Sequence, residues 1–213
     1  MDPAVRPDDI FSGEMAVETA RAIAEDDTAS MSRLLSAGAS PNSTGKGQIS
    51  LLMWAMYLRR RDAFGVLVDN GADLSHTDEE GMTILSYAAL IEDAWFLKKL
   101  LDSPSVDVDV REPDFLRTVL MTVVCDESSV RMLLEAGADP NVQDVAGTTA
   151  LHCAAQNGCY RSMLELLDAG ADPTLKDQIG CTPRDIMRTR ERMVEAPNLQ
   201  AQRQAVIERL EAT

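Results

Sequence analysis

A short phrase recurs along this 213-residue chain at a nearly constant interval. It reads Gly38-Ala39-Ser40-Pro41-Asn42, Gly71-Ala72-Asp73-Leu74, Gly137-Ala138-Asp139-Pro140-Asn141 and Gly170-Ala171-Asp172-Pro173, with a degenerate copy at Ser105-Val106-Asp107-Val108. Gly38 and Gly71 lie 33 residues apart, as do Gly137 and Gly170, and so do the turn glycines Gly147 and Gly180. A fixed period of this length describes a stack of supersecondary units, each too small to bury its apolar face except against the next. Chain length then counts repeats rather than core volume. Such an architecture predicts binding along an extended surface rather than catalysis.

Hydrophobic residues make up 45% of the chain and aromatics only 4%. That suits short helices packed through Ala and Leu better than a sheet core, which needs aromatic and β-branched bulk. The charge is strongly acidic, 20 Lys and Arg against 35 Asp and Glu, a formal −15 that repels phosphate backbones and excludes nucleic acid as the expected partner. The acid is concentrated before Pro183, because the residues after it carry six Arg against five acids. A basic partner surface would be steered toward that acidic body.

The clearest unit runs from Gly147 to Gly180. It holds Gly147-Thr148-Thr149-Ala150-Leu151-His152-Cys153-Ala154-Ala155, then Met163-Leu164-Glu165-Leu166-Leu167-Asp168-Ala169-Gly170. This resembles the ankyrin repeat. The resemblance implies a Thr-Pro-Leu-His-type start opening a first helix, a second helix ending in Leu-Leu, a Gly closing it in the left-handed conformation, and a hairpin finger built from the Asp-Pro-Asn and Asp-x-x-Gly segments. It also gives His152 the role of tying neighbouring repeats together through backbone hydrogen bonds.

The same start can be aligned at Ser50, Thr83, Thr118, Thr149 and Thr182, at intervals of 33, 35, 31 and 33 residues. The expected fold is all-α: an ankyrin-repeat solenoid of stacked helix pairs with hairpin fingers and modified N- and C-terminal caps. The chain reads as one domain, with a cap repeat at about 14–47, internal repeats at 48–80, 81–115, 116–146 and 147–179, and a C-terminal cap at 180–213. Two residues enter before Thr118 and two are lost after it, and the stretch from Ser103 to Arg117 lacks the Gly-Ala-Asp phrase, so its finger is expected to be longer and differently shaped. Glu14, Glu18, Arg21 and Glu25 replace apolar outer positions in the first helix pair, as a solenoid end requires. At the other end Pro197-Asn198 is read as a break, with a helix resuming over 201–212.

Site chemistry is sparse. There is no nucleophile elbow, zinc-binding H-E-x-x-H, dinucleotide fingerprint or calcium loop, so no catalytic residue, metal or cofactor is expected and the chain is read as no enzyme. Thr44-Gly45-Lys46-Gly47-Gln48 lacks the spacing of a phosphate loop, and His76 is expected to be exposed and inert. Cys125, Cys153, Cys159 and Cys181 contain no C-x-x-C pair and no recognisable disulfide framework. Cys153 is expected to be buried as a small apolar residue. Asn42-Ser43-Thr44 matches a glycosylation acceptor. Residues 1–20 have no basic start followed by an apolar run, and no stretch approaches a membrane span, so the chain as written reads as soluble and unsignalled.

By resemblance to ankyrin proteins, partners dock on finger tips and on the solvent-facing end of each first helix. Read onto this sequence, the partner-binding positions are Tyr57 and Leu58, then Glu79, Glu80, Met82, Leu90 and Ile91, then Asp114, Phe115, Arg117 and Asp126, then Gln156 and Asn157, with Val145 and Ile179 on later fingers. Tyr57, Leu58, Met82, Leu90, Ile91 and Phe115 are large apolar groups of the kind that mark an interface when exposed, unless the irregular finger folds over them. Trp54 and Trp95 are expected in the packing between helices.

A narrower resemblance rests on the acidic first helix with Ala20-Arg21-Ala22-Ile23-Ala24-Glu25, on Gly45-Lys46-Gly47 and on Leu51-Leu52-Met53-Trp54-Ala55. These are similar to bacterial ankyrin-repeat proteins encoded beside secreted antibacterial toxins, including type VI secretion lipase effectors, where they act as immunity proteins. The resemblance implies a protein partner, a cognate effector with a basic or apolar contact surface, bound by a chain that is monomeric when free. The sequence as given is read as that of a protein of the bacterial cytoplasm, or of the periplasm if a signal has been removed. The alternatives are a general intracellular scaffold, a host-directed effector, or, from a different class, an enzyme subdomain or regulatory subunit.

Overall fold

The computed structural model describes residues 5–189 and 197–211. The expected C-terminal cap therefore lies in part, at residues 190–196 and 212–213, outside the described residues. The described chain is helical throughout and contains no strand. Its only pairings of β type are the single bridges Thr44 to Ser50, Thr77 to Thr83 and Arg111 to Thr118, which close finger hairpins. No described helix is long and apolar enough to cross a membrane. The chain forms two compact units, residues 1–107 and 108–213.

In the first unit, a short α1 (Pro7–Ile10) precedes three helix pairs: α2 (Glu14–Glu25) with α3 (Thr28–Ser36), α4 (Leu51–Tyr57) with α5 (Arg61–Asp69), and α6 (Ile84–Leu90) with α7 (Ala94–Leu101). First helices pack on first helices, α2 on α4 and α4 on α6, and second helices on second, α3 on α5 and α5 on α7. The second unit repeats the scheme with α8 (Val119–Thr122) and α9 (Glu127–Glu135), α10 (Ala150–Asn157) and α11 (Tyr160–Asp168), and α12 (Pro183–Thr189) and α13 (Pro197–Glu211). There α10 packs on α8 and α12, and α11 on α9 and α13. Pro197 opens α13 instead of breaking the chain, since a proline at the first helical position loses no helical hydrogen bond.

The start phrase forms helices because its hydroxyl residues cap them. Ser50 Oγ accepts from Met53 N, Thr83 Oγ1 from Ser86 N and Thr149 Oγ1 from His152 N, each cap contributing about 1 kcal/mol. Thr118 occupies the same position without a side-chain cap bond, and α8 is only four residues long. At the other end of each pair, Gly137 (φ 93°) and Gly170 (φ 91°) adopt the left-handed conformation that lets Ala138 N reach Leu133 O and Ala171 N reach Leu166 O.

Burial follows the repeat. Leu51, Leu52, Ala55, Phe64, Leu67, Ile84, Leu85, Leu97 and Leu100 form the core of the first unit, and Leu120, Val130, Leu133, Leu151, Ala154, Met163 and Leu166 that of the second. Glu14, Glu18, Arg21 and Glu25 are exposed on α2. Trp54 is fully buried and donates from Nε1 to Ala20 O at 3.1 Å, while Trp95 packs edge-on against Phe64 and Phe96 beneath the Arg61 guanidinium.

The finger bonds also keep the period. Asn42 Oδ1 accepts from Asp73 N and Asn141 Oδ1 from Asp172 N, both at 2.7 Å, so the Asn of the glycosylation-like triplet already has a structural bond. Across the second helices, Arg61 pairs with Asp93, Lys99 with Asp69 and Arg131 with Glu165, each close to one repeat apart. The Arg61 hydrogen bond to Asp93 is the main cause holding that carboxyl below its usual range.

Candidate functional site

In the first unit, the C-terminal ends of α4 and α6 and the adjoining fingers carry the predicted residues of that segment. Tyr57 ends α4 and is 38% exposed, and Leu58, half-buried, is its C-cap. Leu90 ends α6 at 54% exposure, and the half-buried Ile91 is the C-cap there. The Tyr57 ring stacks on Trp54 at 6.0 Å between centroids, and Phe11 meets Trp54 edge-on at 6.0 Å. Because Trp54 is itself bonded to the α2 backbone, the Tyr57 ring is held in place before any partner arrives. Glu79 and Glu80 are exposed on the neighbouring finger, whose tip is joined to the preceding one by Glu79 N donating to Gly47 O at 3.0 Å. Met82 is half-buried at the base of that finger.

Between these helix ends lies a groove of about 590 Å³ lined by Ile49, Met53, Met56, Tyr57, Leu58, Arg59, Asp78, Tyr87 and Ile91. Tyr57, Leu58 and Ile91 were anticipated here; Met53, Met56, Asp78 and Tyr87 were not. Their signal is helical spacing, since Met53 lies one turn before Tyr57 and Tyr87 one turn before Ile91 on the same helix faces. The Tyr87 hydroxyl donates to Asp78 Oδ2. Burial, then that bond, then the charges of Asp78 and Glu80 raise the Tyr87 phenol well above its ordinary pKa. Asp78 Oδ1 accepts from Glu80 N and Met82 N, both at 3.0 Å, and so also forms the finger turn.

The second unit places Asp114, Phe115 and Arg117 on one finger. Asp114 is exposed, Phe115 is 61% exposed, and the Phe115 carbonyl accepts from Val145 N on the next finger. Arg117 is engaged internally: its Nε lies 3.3 Å from Asp144 Oδ2, a carboxylate only 4% exposed. Asp126 is exposed but caps α9, accepting from Ser128 N and from the Ser129 hydroxyl at 2.6 Å. Gln156 and Asn157 are exposed at the end of α10, with Asn157 Nδ2 donating to Cys153 O. Val145 and Ile179 stand out on finger tips, Ile179 at 84% exposure.

Five residues outside that set differ from, or add to, the sequence reading. Cys125, in the loop after the short α8, forms a disulfide with Cys159, the N-cap of α11, where no disulfide framework was expected. The available signal was their separation of 34 residues, because a period of 33 sets positions one repeat apart side by side. His76 is not inert: its Nε2 is 2.6 Å from the Gln48 carbonyl on the preceding finger. Cys153 is buried, which raises its thiol pKa, and His152 bonds Thr149 and the Cys181 carbonyl. No cluster of three or more His, Cys, Asp or Glu that could hold a metal occurs among the described residues.

Helix pairs capped by Ser or Thr, glycine-closed second helices and bridged fingers coincide with a match of the family profile for ankyrin repeats, in three copies, to residues 85–177. The chain carries ankyrin repeats and has their helical solenoid fold. Its helical ankyrin-repeat fold is shared with a domain from Acinetobacter baumannii AYE, at 25% identity and a TM-score of 0.75, the match covering 90% of this chain and 96% of that one. It is shared too with a chain from the complex of the Bd0816 predatory endopeptidase of Bdellovibrio bacteriovorus with immunity protein Bd3460, at 20% identity and a TM-score of 0.68, covering 92% and 97%. In sequence the ankyrin chain is 32% identical over 154 residues to protein PhlB of Serratia liquefaciens, a match covering 68% of this chain and 64% of PhlB. It thus spans less than two thirds of PhlB's length. Ankyrin repeats act in protein–protein interaction, and that is the class of function assigned to this fold.

Proposed function

We propose that this ankyrin protein is an inhibitor of the immunity type, binding a cognate secreted effector through its fingers and first-helix ends and blocking it by occlusion. The observation that carries the reading is the pair of exposed apolar residues Tyr57 and Leu90 beside an open groove, with Tyr57 held by stacking on Trp54. Apolar groups fixed in position before binding lose little entropy when a partner covers them, and such anchors usually carry most of an interface's affinity. The acidic charge favours an effector with a basic contact surface.

The sequence resemblance to immunity proteins supplies the specific form of the proposal. A fold of this kind also stands in the complex of an endopeptidase with its immunity protein, a likeness of fold alone at 20% identity. The Cys125–Cys159 disulfide supports a working site in an oxidising compartment, because such bonds persist there and are reduced in the cytosol. The test is affinity capture with the intact protein from its native source, followed by co-expression with the captured partner in a susceptible host. Rescue of growth supports the inhibitor reading. A captured partner that harms no cell when expressed alone would replace it with the scaffold alternative.

A further inference from the structure

The chain ahead of the first helix pair is seated between the first finger and α4. Four fingers close their tip with an acidic residue whose amide donates to the carbonyl just before the next helix start: Asp78 to Met82, Glu112 to Arg117, Asp144 to Thr148 and Asp177 to Cys181. In three of them the Asp Oδ1 also accepts two turn amides: Glu80 N and Met82 N, Ala146 N and Thr148 N, and Ile179 N and Cys181 N. The first finger makes the same closing bond, Gly45 N to Ile49 O at 2.9 Å, but forgoes the carboxylate. Its backbone does not require glycine, since Gly45 is extended, at φ −114° and ψ −160°. Space does require it: a Cβ on Gly45 would stand 2.6 Å from Ile10 Cγ2 and 2.7 Å from the Ile10 carbonyl oxygen, so the arm fills the place of a side chain. Ile10 and Phe11 are buried, Asp8 pairs with Arg21 of α2, and Phe11 meets Trp54 edge-on.

We propose that this arm, residues 6–11, is a positioning element for the partner-binding residue Tyr57, acting through Phe11 and Trp54. The proposal rests on the protein-binding reading above and names a part of the chain that prepares that site. The rings of Phe11, Trp54 and Tyr57 follow one another at 6.0 Å between centroids at each step, and Tyr57 is the exposed member. The bond from Trp54 Nε1 to Ala20 O holds one corner of the indole, and Phe11 adds a second contact that limits its tilt. A helix as short as α1 is not stable alone, so its form depends on the seat at Gly45. The exposed Asp8–Arg21 pair adds little, and burial of Ile10 and Phe11 holds the arm. That burial, on a seat cleared of a side chain, favours a fixed arm over one that a partner displaces. A ring fixed before binding has less freedom to lose when a partner covers it.

Gly45→Ala is the direct test, because it fills the seat and leaves Phe11, Trp54 and Tyr57 unaltered. By NMR on the intact protein, the Phe11 amide, which donates to Pro7 O, should exchange slowly in the unmodified chain and at free-peptide rates in Gly45→Ala. The Tyr57 ring signals, shifted by the Trp54 ring, should move toward those of free tyrosine in Gly45→Ala and in Phe11→Ala, while the Trp54 Nε1 proton and the amides of α4 to α7 stay protected. Phe11→Ala decides the matter if Gly45→Ala does not fold. A Phe11 amide exchanging at free-peptide rates in the unmodified protein, an arm still protected in Gly45→Ala, or Tyr57 signals unchanged once the arm is free each overturn the proposal. None of these needs a partner, so the protein-binding reading is left to be decided by capture. With a captured partner, Gly45→Ala should weaken binding about 2- to 10-fold, the worth of one aromatic pair, and should cost nothing further in a Tyr57→Ala background. Unchanged affinity, tighter binding with the arm as a competitor, or an equal loss in both backgrounds from direct contact with the arm would each overturn positioning through Tyr57.

Discussion

His152 reaches across a repeat boundary to Cys181: its Nε2 lies 3.2 Å from the Cys181 carbonyl, while Nδ1 accepts from Thr149 N at 3.2 Å and lies 2.8 Å from Thr149 Oγ1. An Nδ1 that accepts from an amide cannot carry a proton, so the ring is the neutral tautomer with hydrogen on Nε2. Burial is the main cause lowering its pKa below 6.5. A group whose folded pKa is depressed binds more protons unfolded, so its contribution to stability is complete above about pH 6.5 and declines as the pH falls toward the folded value. Denaturant unfolding between pH 7.5 and 5 should show this loss, and His152→Ala should flatten that part of the profile while costing about 1–3 kcal/mol at neutral pH through unpaired buried groups.

The disulfide should be separable from the other two cysteines. Alkylation of the denatured, unreduced protein is expected to modify Cys153 and Cys181 and to spare Cys125 and Cys159. Reduction, or the double change Cys125→Ser with Cys159→Ser, should cost about 2–4 kcal/mol, since the bridge closes a loop of one repeat. Four reactive thiols before reduction would remove the bridge from the account and with it the support for an oxidising compartment.

Residues of the predicted interface should divide into binding and structural groups. Tyr57→Ala and Leu90→Ala should each weaken partner binding by about 2 kcal/mol or more with the fold retained. Charge reversal at Glu79 or Glu80 should slow association and reduce its salt dependence. Asp126→Ala should instead cost about 1 kcal/mol of stability, because that carboxylate caps α9. Calorimetric binding and thermal unfolding on the same variants separate the two; full affinity in the combined variant of Tyr57 and Leu90 would move the interface off this face.

Inhibition, once a partner is in hand, should follow stoichiometric occlusion. Titration of the effector is expected to reach full inhibition near equal molar amounts and to reverse when the complex is dissociated. One copy of this chain inactivating many effector molecules would require chemistry, and would return the enzyme alternative to consideration.

Much of the local structure was determined by sequence alone. Ser50, Thr83 and Thr149 cap helices, Gly137 and Gly170 end them, and the apolar residues between recur with helical spacing; all act within a few residues and need no distant partner to be read. The period of 33 also placed equivalent positions of adjacent repeats side by side, which is why Tyr57, Leu58 and Ile91 could be assigned to one face in advance. Tertiary structure decided what each side chain does there. Asp126 also caps α9 and Arg117 also pairs with Asp144, internal bonds that their reading as partner-facing residues did not include. Likewise Cys125 met Cys159, and Asp78 joined Tyr87 at the end of a groove, through orientations that only packing between helices sets. A repeat determines which positions are neighbours; the rotamers and backbone of the folded pairs determine which neighbours bond, and hence which groups remain for a partner.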